Sequence, residues 1–162
     1  MVGIAAREQL VYGARLLEAL HRAGEETHVV LTPAASAALG DEAAAVLALA
    51  DRSYAASNQA ARISSGSFLT RGMVVAPCDG GSLAAIAMGL ATNLVYRAAD
   101  VTLKEGRPLV LGLVGAGAGR AQRESLERAA RVPGLVTLRL EGSLDDGVDS
   151  LLAALGLGRG PG

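Results

Sequence analysis

The chain contains 162 residues, and its 15 basic side chains are balanced by 16 acidic ones, so that the formal net charge is only −1. A chain of this length forms one domain that buries roughly 70% of its unfolded surface. The balanced charge and an aromatic content of 2% exclude the basic, ring-bearing surface that nucleic-acid binding requires, and the single cysteine excludes an internal disulfide.

Nothing in the sequence predicts a membrane-spanning or secreted protein. The longest apolar run, Leu83 to Ala91, is far shorter than the ~20 residues that a membrane span needs. The segment from Met1 to Glu8 lacks the charged-then-apolar order of a secretory signal. We therefore expect a cytoplasmic protein.

The first half of the chain alternates between short buried strands and helices. Apolar residues recur on one helical face between Glu8 and Ala23, and Gly24 ends that helix. Thr32 is a capping hydroxyl in front of a helix that Pro33 begins. The other elements predicted here are strands at Val2–Ile4 and His28–Leu31, helices at 34–39 and 41–50 on either side of Gly40, and a polar loop from Asp51 to Arg71.

The second half is organised around one strand–turn–helix unit. Met73–Ala76 predicts a buried strand, Pro77–Ser82 a tight polar turn, and Leu83–Tyr96 an apolar helix. The elements predicted after this unit are a strand at Leu109–Leu113, a glycine-rich loop at Gly115–Gly119, a helix at Gln122–Val132, a strand at Leu135–Leu140 and a helix at Leu144–Leu155.

Five strands interleaved with helices predict a three-layer α/β sandwich with a flavodoxin- or Rossmann-like doubly wound parallel sheet. We expect a single domain over residues 1–155 and a frayed tail at 156–162. In open sheets of this kind ligands bind beyond the carboxyl ends of the strands.

Several blocks of the sequence resemble the UbiX/Pad family of flavin prenyltransferases, within the FMN-binding flavodoxin-like flavoproteins. The resemblance covers roughly residues 3 to 111, and its agreement at fixed spacing over about 45 residues makes it specific. The blocks that carry it are Tyr12-Gly13, Arg15 to Glu18, Glu26 to His28, Ser65 to Phe68, Gly72 to Cys78, Leu83 to Ala87, Asn93-Leu94, Arg97 to Val101, Leu103 to Glu105 and Arg107 to Leu111.

The resemblance implies a homo-oligomer, trimeric or dodecameric, that holds FMN between its subunits. Members of the family join a dimethylallyl group to reduced FMN, and the product serves a partner decarboxylase. No metal is implied.

The chain departs from the family pattern in three places. The family's first loop reads Gly-Ile-Ser-Gly-Ala-Ser-Gly and cradles the FMN phosphate, whereas Gly3 to Gln9 here lacks both serines and two of the glycines. After Leu111 the family's Arg-Glu-Thr-Pro block and closing tail are replaced by Gly112-Leu113-Val114 and a glycine-rich loop, and Asp79 replaces the serine that follows the Pro-Cys pair. Glu8 places a carboxylate at the phosphate position, and Arg7 is a candidate replacement ligand for the phosphate.

The remaining candidate site residues each have two interpretations. By family position, Arg97 and Lys104 are candidate catalytic residues beside the flavin and the substrate phosphate; otherwise Arg97 ends a helix and Lys104 is a solvated loop charge. By family position Thr32 is a candidate contact of the cofactor phosphate; otherwise its hydroxyl only caps a helix. The candidates at the turn are Cys78, Asp79 and Ser82, and Asp79 is also a routine helix cap.

Cys78 has no histidine in the turn to activate its thiol, so we expect a small buried residue and not a nucleophile. Three functions remain open. The chain is an FMN-binding prenyltransferase homologue with altered or lost chemistry; a divergent paralogue that has lost FMN and acts on another small molecule in a specialised pathway; or a non-catalytic subunit that stabilises a partner enzyme.

Overall fold

The computed structural model of the chain describes residues 1–115 and 119–158. The strands are β1 (Val2–Ala5), β2 (His28–Leu31), β3 (Arg52–Tyr54), β4 (Met73–Cys78), β5 (Leu109–Leu113) and β6 (Leu135–Arg139). The α-helices are α1 (Val11–Arg22), α2 (Pro33–Leu39), α3 (Ala43–Leu47), α4 (Gly80–Ala87), α5 (Leu94–Lys104), α6 (Arg120–Ala129) and α7 (Leu144–Ala154).

The six strands form one parallel sheet in the order β3-β2-β1-β4-β5-β6. From β1 the chain first builds outward to β2 and β3, and it then returns to place β4 on the other side of β1. Without the short edge strand β3, the order is that of the flavodoxin fold. The predicted doubly wound parallel sheet is therefore confirmed, and its switch point lies between β1 and β4.

The two faces of the sheet are covered by different helices, as a three-layer sandwich requires. On one face, Leu16 and Leu17 of α1 and Leu151 of α7 pack against Ile4 and Val110. On the other face, the apolar side chains of α4 and α5 pack against the remaining strand residues. The central strands are buried on both faces, which explains their continuous apolar runs.

The structure contains one strand more than the five predicted. β3 pairs with β2 in parallel, and its entry is fixed by Asp51, whose Oδ2 accepts hydrogen bonds from the backbone N–H of Thr27 at 2.7 Å and from its hydroxyl at 2.9 Å. Because Arg52 and Ser53 are exposed at the sheet edge, the segment carries no apolar pattern that could reveal it. The predicted long loop also contains a 3₁₀ turn at Arg62–Ser64.

The predicted helix at Leu83–Tyr96 is wrong, because two helices occupy this region. α4 ends at Ala87, Gly89 takes a positive φ of 70°, and the Asn93 side chain accepts a hydrogen bond from the backbone N–H of Tyr96 at 3.1 Å to begin α5. The turn at Pro77–Ser82 is also shorter than predicted, since Pro77 and Cys78 belong to β4 and α4 begins at Gly80.

The chain continues from α7 into the first residues of the predicted tail. Beyond α7, Gly156 and Leu157 donate backbone hydrogen bonds to Ala153 and Leu152 at 3.0 and 2.8 Å. The rest of the predicted tail, residues 159–162, and residues 116–118 of the glycine-rich loop lie outside the described residues. In the part of the chain that the structure describes, no helix is long and apolar enough to cross a membrane.

Candidate functional site

A cleft of about 310 Å³ opens at the switch point, beyond the carboxyl ends of β1, β4 and β5. This edge is where open parallel sheets bind their ligands, because the loops diverge there. We call this space the switch-point cleft. The residues that line it are Arg7, Glu8, Asp79, Gly80, Val114, Gly115 and Gln122.

The loop after β1 forms one wall of the switch-point cleft. Ala5 and Ala6 are buried, whereas Arg7, Glu8 and Gln9 are exposed. Gln9 has a φ of 53°, the only positive φ of a non-glycine residue in the described ranges 1–115 and 119–158. Gln9 aligns with the last glycine of the family's phosphate loop, so a non-glycine residue takes a left-handed conformation at a position where the family has glycine.

The turn between β4 and α4 forms the opposite wall. The carboxylate of Asp79 accepts a hydrogen bond from the backbone N–H of Ser82 at 2.8 Å and so caps α4. Gly80 borders the cleft, and the nearest atom to a Cβ at this position would be the side-chain Cδ of Gln122 at 3.8 Å. The capping interpretation of Asp79 is therefore confirmed, and its side chain also borders the ligand space.

Ser82 connects the two walls. Its hydroxyl donates a hydrogen bond to the backbone oxygen of Ala5 at 2.9 Å and lies 3.0 Å from the hydroxyl of Tyr96, which is thus the donor to Ser82. Ser82 is only 3% exposed. It therefore joins the first turn of α4 to the end of β1, and its buried hydroxyl is already engaged with Ala5 and Tyr96.

Cys78 is fully buried at the end of β4, as its interpretation as a small apolar residue predicts. Burial, and to a smaller extent the charge of Asp79, raises the pKa of the Cys78 thiol far above its usual range. The thiol is therefore protonated at neutral pH, and a thiolate nucleophile is not available.

Thr32 follows β2 on the far side of β1 from the cleft. Its Oγ1 accepts the backbone N–H of Ala35 at 3.2 Å, and its own backbone N–H donates to the oxygen of Ile4 at 2.9 Å. The capping interpretation of Thr32 is confirmed. Thr32 is 3% exposed and does not belong to the residues that line the switch-point cleft.

Arg97 and Lys104 lie on the exposed face of α5 and not in the cleft of their own chain. Both approach Asp100: Arg97 Nη1 is 3.8 Å and Lys104 Nζ is 2.7 Å from its Oδ2. Arg97 does not end a helix, because it lies near the beginning of α5. Lys104 is the last residue of α5 and not part of a loop, but its side chain is 68% exposed, as a solvated charge is. Their role toward a flavin stays a prediction.

The sequence did not reveal two other residues at this site. Tyr96 reaches Ser82 from the first turn of α5, and Gln122 reaches the cleft from α6. The sequence offers a weak indication for Tyr96, because this residue lies between the matched blocks that begin at Asn93 and Arg97. The sequence offers no indication for Gln122, because α6 reaches the carboxyl edge of the sheet only in the folded chain.

The residues of the cleft do not fit the phosphate of FMN, the cofactor that the resemblance implies. Its charged lining consists of one cation, Arg7, and two carboxylates, Glu8 and Asp79. A phosphate dianion is stabilised by cations, free backbone N–H groups and hydroxyls, and a neighbouring carboxylate opposes it. The open space beside Gly80 and the buried Val114 suit an uncharged planar group better.

Comparison with known proteins agrees with this architecture. The family model Flavoprotein matches residues 1–121. A UbiX-like flavin prenyltransferase of Bacillus subtilis is 48% identical over 115 residues, which are 68% of this chain and 56% of the relative, so this chain matches little more than half of that protein's length.

Two solved structures match nearly the whole chain. The dodecameric FMN-dependent UbiX-like decarboxylase of Escherichia coli O157:H7 has a TM-score of 0.87 at 37% identity, with 98% of this chain and 94% of that chain covered. AnUbiX (PadA1), in complex with FMN and dimethylallyl pyrophosphate, has a TM-score of 0.86 at 32% identity, with 99% and 96% covered. The chain therefore belongs to the Flavoprotein family, as a UbiX-like member.

Proposed function

We propose that this chain is a UbiX-like flavoprotein that binds FMN in the switch-point cleft, and that its prenyl-transfer chemistry is altered or lost. The observation that carries the proposal is the position of the cleft, between the carboxyl ends of β1 and β4. In flavodoxin-like sheets FMN binds at the equivalent switch point. Two relatives of known structure are described with FMN, which supports the same cofactor here.

The proposed loss of prenyl transfer is supported by the residues that follow β5. Where the family has its Arg-Glu-Thr-Pro block, this chain has Val114 and Gly115 at the cleft. Val114 is 6% exposed, and its backbone N–H donates to the oxygen of Cys78 at 3.0 Å. Neither residue can bind a substrate phosphate through its side chain or transfer a proton, so the chemistry assigned to that block has no group to perform it here.

We further propose that the chain assembles with copies of itself and that Arg97 and Lys104 act on the cleft of a neighbouring subunit. Both side chains are exposed, at 42% and 68%, on the outer face of α5. Met88 and Leu90, in the loop that precedes this helix, are 61% and 47% exposed, as apolar residues of an assembly interface are in an isolated subunit. The related E. coli protein is dodecameric.

The assembly can be tested on a calibrated sizing column. We expect a trimer or a larger multiple, and a double substitution of Met88→Asp and Leu90→Asp should reduce its size. A monomeric wild-type protein would contradict the assembly. We also propose a partner decarboxylase and a cytoplasmic location. Co-purification with a decarboxylase at fixed stoichiometry would support the partner.

The proposed cofactor is tested by the absorbance spectrum of the freshly purified protein. Flavin bands that remain after gel filtration support the proposal, and incubation with reduced FMN and dimethylallyl phosphate should then yield no prenylated flavin. A colourless protein that does not bind added FMN would favour the divergent paralogue. Stable association with a partner enzyme, with no flavin bound, would favour the non-catalytic subunit.

A further inference from the structure

We infer that the switch-point cleft recognises the ring and ribityl chain of a flavin but not its terminal phosphate, so that it binds riboflavin and FMN with similar affinity. This inference rests on the proposed function, because it concerns the same site. It names the chemical class that the site accepts, a flavin with or without its terminal phosphate. Three sets of contacts at the cleft carry it.

The first is the charge of the cleft lining. Glu8 comes from the loop after β1 and Asp79 from the opposite wall, and Arg7 is the one cation among the residues that line the cleft. The formal charge of the described residues that line the cleft is therefore −1. A dianion entering this space meets net repulsion, whereas a neutral hydroxyl group finds acceptors in the two carboxylates.

The second is that some of the backbone donors at the helix ends that face the cleft are already engaged within the protein. At the start of α1 the N–H groups of Tyr12 and Gly13 donate to the oxygens of Gln9 and Leu10, at 3.0 and 3.1 Å. At the start of α4 the Asp79 carboxylate accepts from the N–H of Ser82, so that the protein supplies its own anion there. An incoming phosphate would have to compete with these bonds.

The third is the loss of hydroxyl donors. The two serine positions of the family loop are Ala5 and Glu8 in this chain, and Ala5 is buried. The hydroxyl of Ser82 donates to the oxygen of Ala5 at 2.9 Å and is buried beneath the cleft. The cleft therefore keeps its place at the switch point, while the side-chain hydroxyl donors that the family loop offers a phosphate are absent.

The experiment measures the dissociation constants of riboflavin and FMN for the full chain in its native assembly, from the quenching of flavin fluorescence at fixed ionic strength. We expect the two constants to agree within about threefold, which corresponds to about 0.7 kcal/mol. FMN bound more than about 30-fold more tightly than riboflavin would overturn the inference and leave the proposed function intact. Binding of neither flavin would overturn both.

A charge substitution isolates the cause. Glu8→Gln keeps the size of the side chain and should strengthen FMN binding by about fivefold, because it removes one repelling charge, while the riboflavin constant stays the same. Asp149→Asn, on the exposed face of α7 away from the cleft, is the matched control and should change neither constant. Equal strengthening of both flavins by Glu8→Gln, or no change in FMN binding, would contradict the electrostatic argument.

Discussion

The hydroxyl of Ser82 donates a hydrogen bond to the backbone oxygen of Ala5 at 2.9 Å, and this bond joins the first turn of α4 to the end of β1 across the switch point. Because Ser82 is 3% exposed, its replacement leaves a buried carbonyl without this partner. We expect Ser82→Ala to lower the free energy of unfolding by about 1–3 kcal/mol and to weaken flavin binding. Urea unfolding and flavin titration measure the two effects.

Tyr96→Phe provides the matched comparison for Ser82→Ala, because it removes the donor to Ser82 and keeps the bond to Ala5. We expect Tyr96→Phe to lower the free energy of unfolding less than Ser82→Ala does, by about 1 kcal/mol. Equal stability of wild type and Ser82→Ala would show that the hydrogen bond from Ser82 to Ala5 contributes nothing to the stability of the fold.

The Cys78 thiol should be unreactive in the folded protein. Burial raises the pKa of this thiol, so that the reactive thiolate is absent at neutral pH and reagents have no access. Because the thiol lies in the closed core, we expect a disulfide reagent at pH 8 to label less than about a tenth of the native protein over an hour. In about 8 M urea the same reagent should label all of the protein. Rapid native labelling would contradict the buried position.

Gln9 offers a test of the inherited loop conformation. A left-handed φ costs a non-glycine residue about 1 kcal/mol or more, and glycine adopts it without this cost. We expect Gln9→Gly to raise the free energy of unfolding by about 0.5–1 kcal/mol. Gln9→Val should lower it, because a β-branched side chain tolerates this conformation least. Destabilisation by glycine would show that the loop is not left-handed at this position.

His28 should make the stability depend on pH. The ring is buried between Tyr54, whose hydroxyl lies 2.8 Å from Nδ1, and Phe68, and its Nε2 lies 3.1 Å from Glu26. Burial lowers the pKa of His28 below its usual 6.5, against the opposing hydrogen bond of Glu26 and with a smaller contribution from Arg62. The unfolded chain therefore binds the proton more tightly.

It follows that stability falls as the pH drops from about 6.5 towards the folded pKa of His28, by at most about 1.4 kcal/mol per pH unit, and is unaffected by this group above 6.5. Urea unfolding at pH 7.5 and 5.5 measures the difference. In His28→Gln the difference should shrink, whereas His21→Gln, at an exposed position on α1, should preserve it. An equal pH effect in both variants would remove His28 as the cause.

The strands and their parallel arrangement could be predicted from the sequence because the central strands are buried on both faces and read as continuous apolar runs. Thr32 and Asp79 could be predicted as caps from their position before helices. β3 could not, since an exposed edge strand has no apolar pattern to detect. The division between α4 and α5 was hidden because the turn at Gly89 lies within an apolar run.

The site was less predictable than the fold. Cys78, Asp79 and Arg7 could be placed at the switch point, because the carboxyl ends of strands share one edge. Gln122 and the bond between Ser82 and Tyr96 depend on how α6 and α5 pack, which single-sequence patterns do not specify. In the proposed assembly, the position of Arg97 and Lys104 relative to a cleft would be set by neighbouring subunits, which the sequence of one chain does not describe.

The most direct test of the central claim fills the switch-point cleft with a side chain. A Cβ at Gly80 would have no atom nearer than 3.8 Å, so Gly80→Leu can be accommodated and should project into the cleft. Gly81 is exposed, does not line the cleft, and has Asp79 Oδ1 at 3.5 Å from its Cβ position, which makes Gly81→Leu the matched control. Flavin titration of both folded variants should show binding lost in Gly80→Leu and kept in Gly81→Leu; undiminished flavin binding by Gly80→Leu would contradict the claim that the flavin lies between β1 and β4.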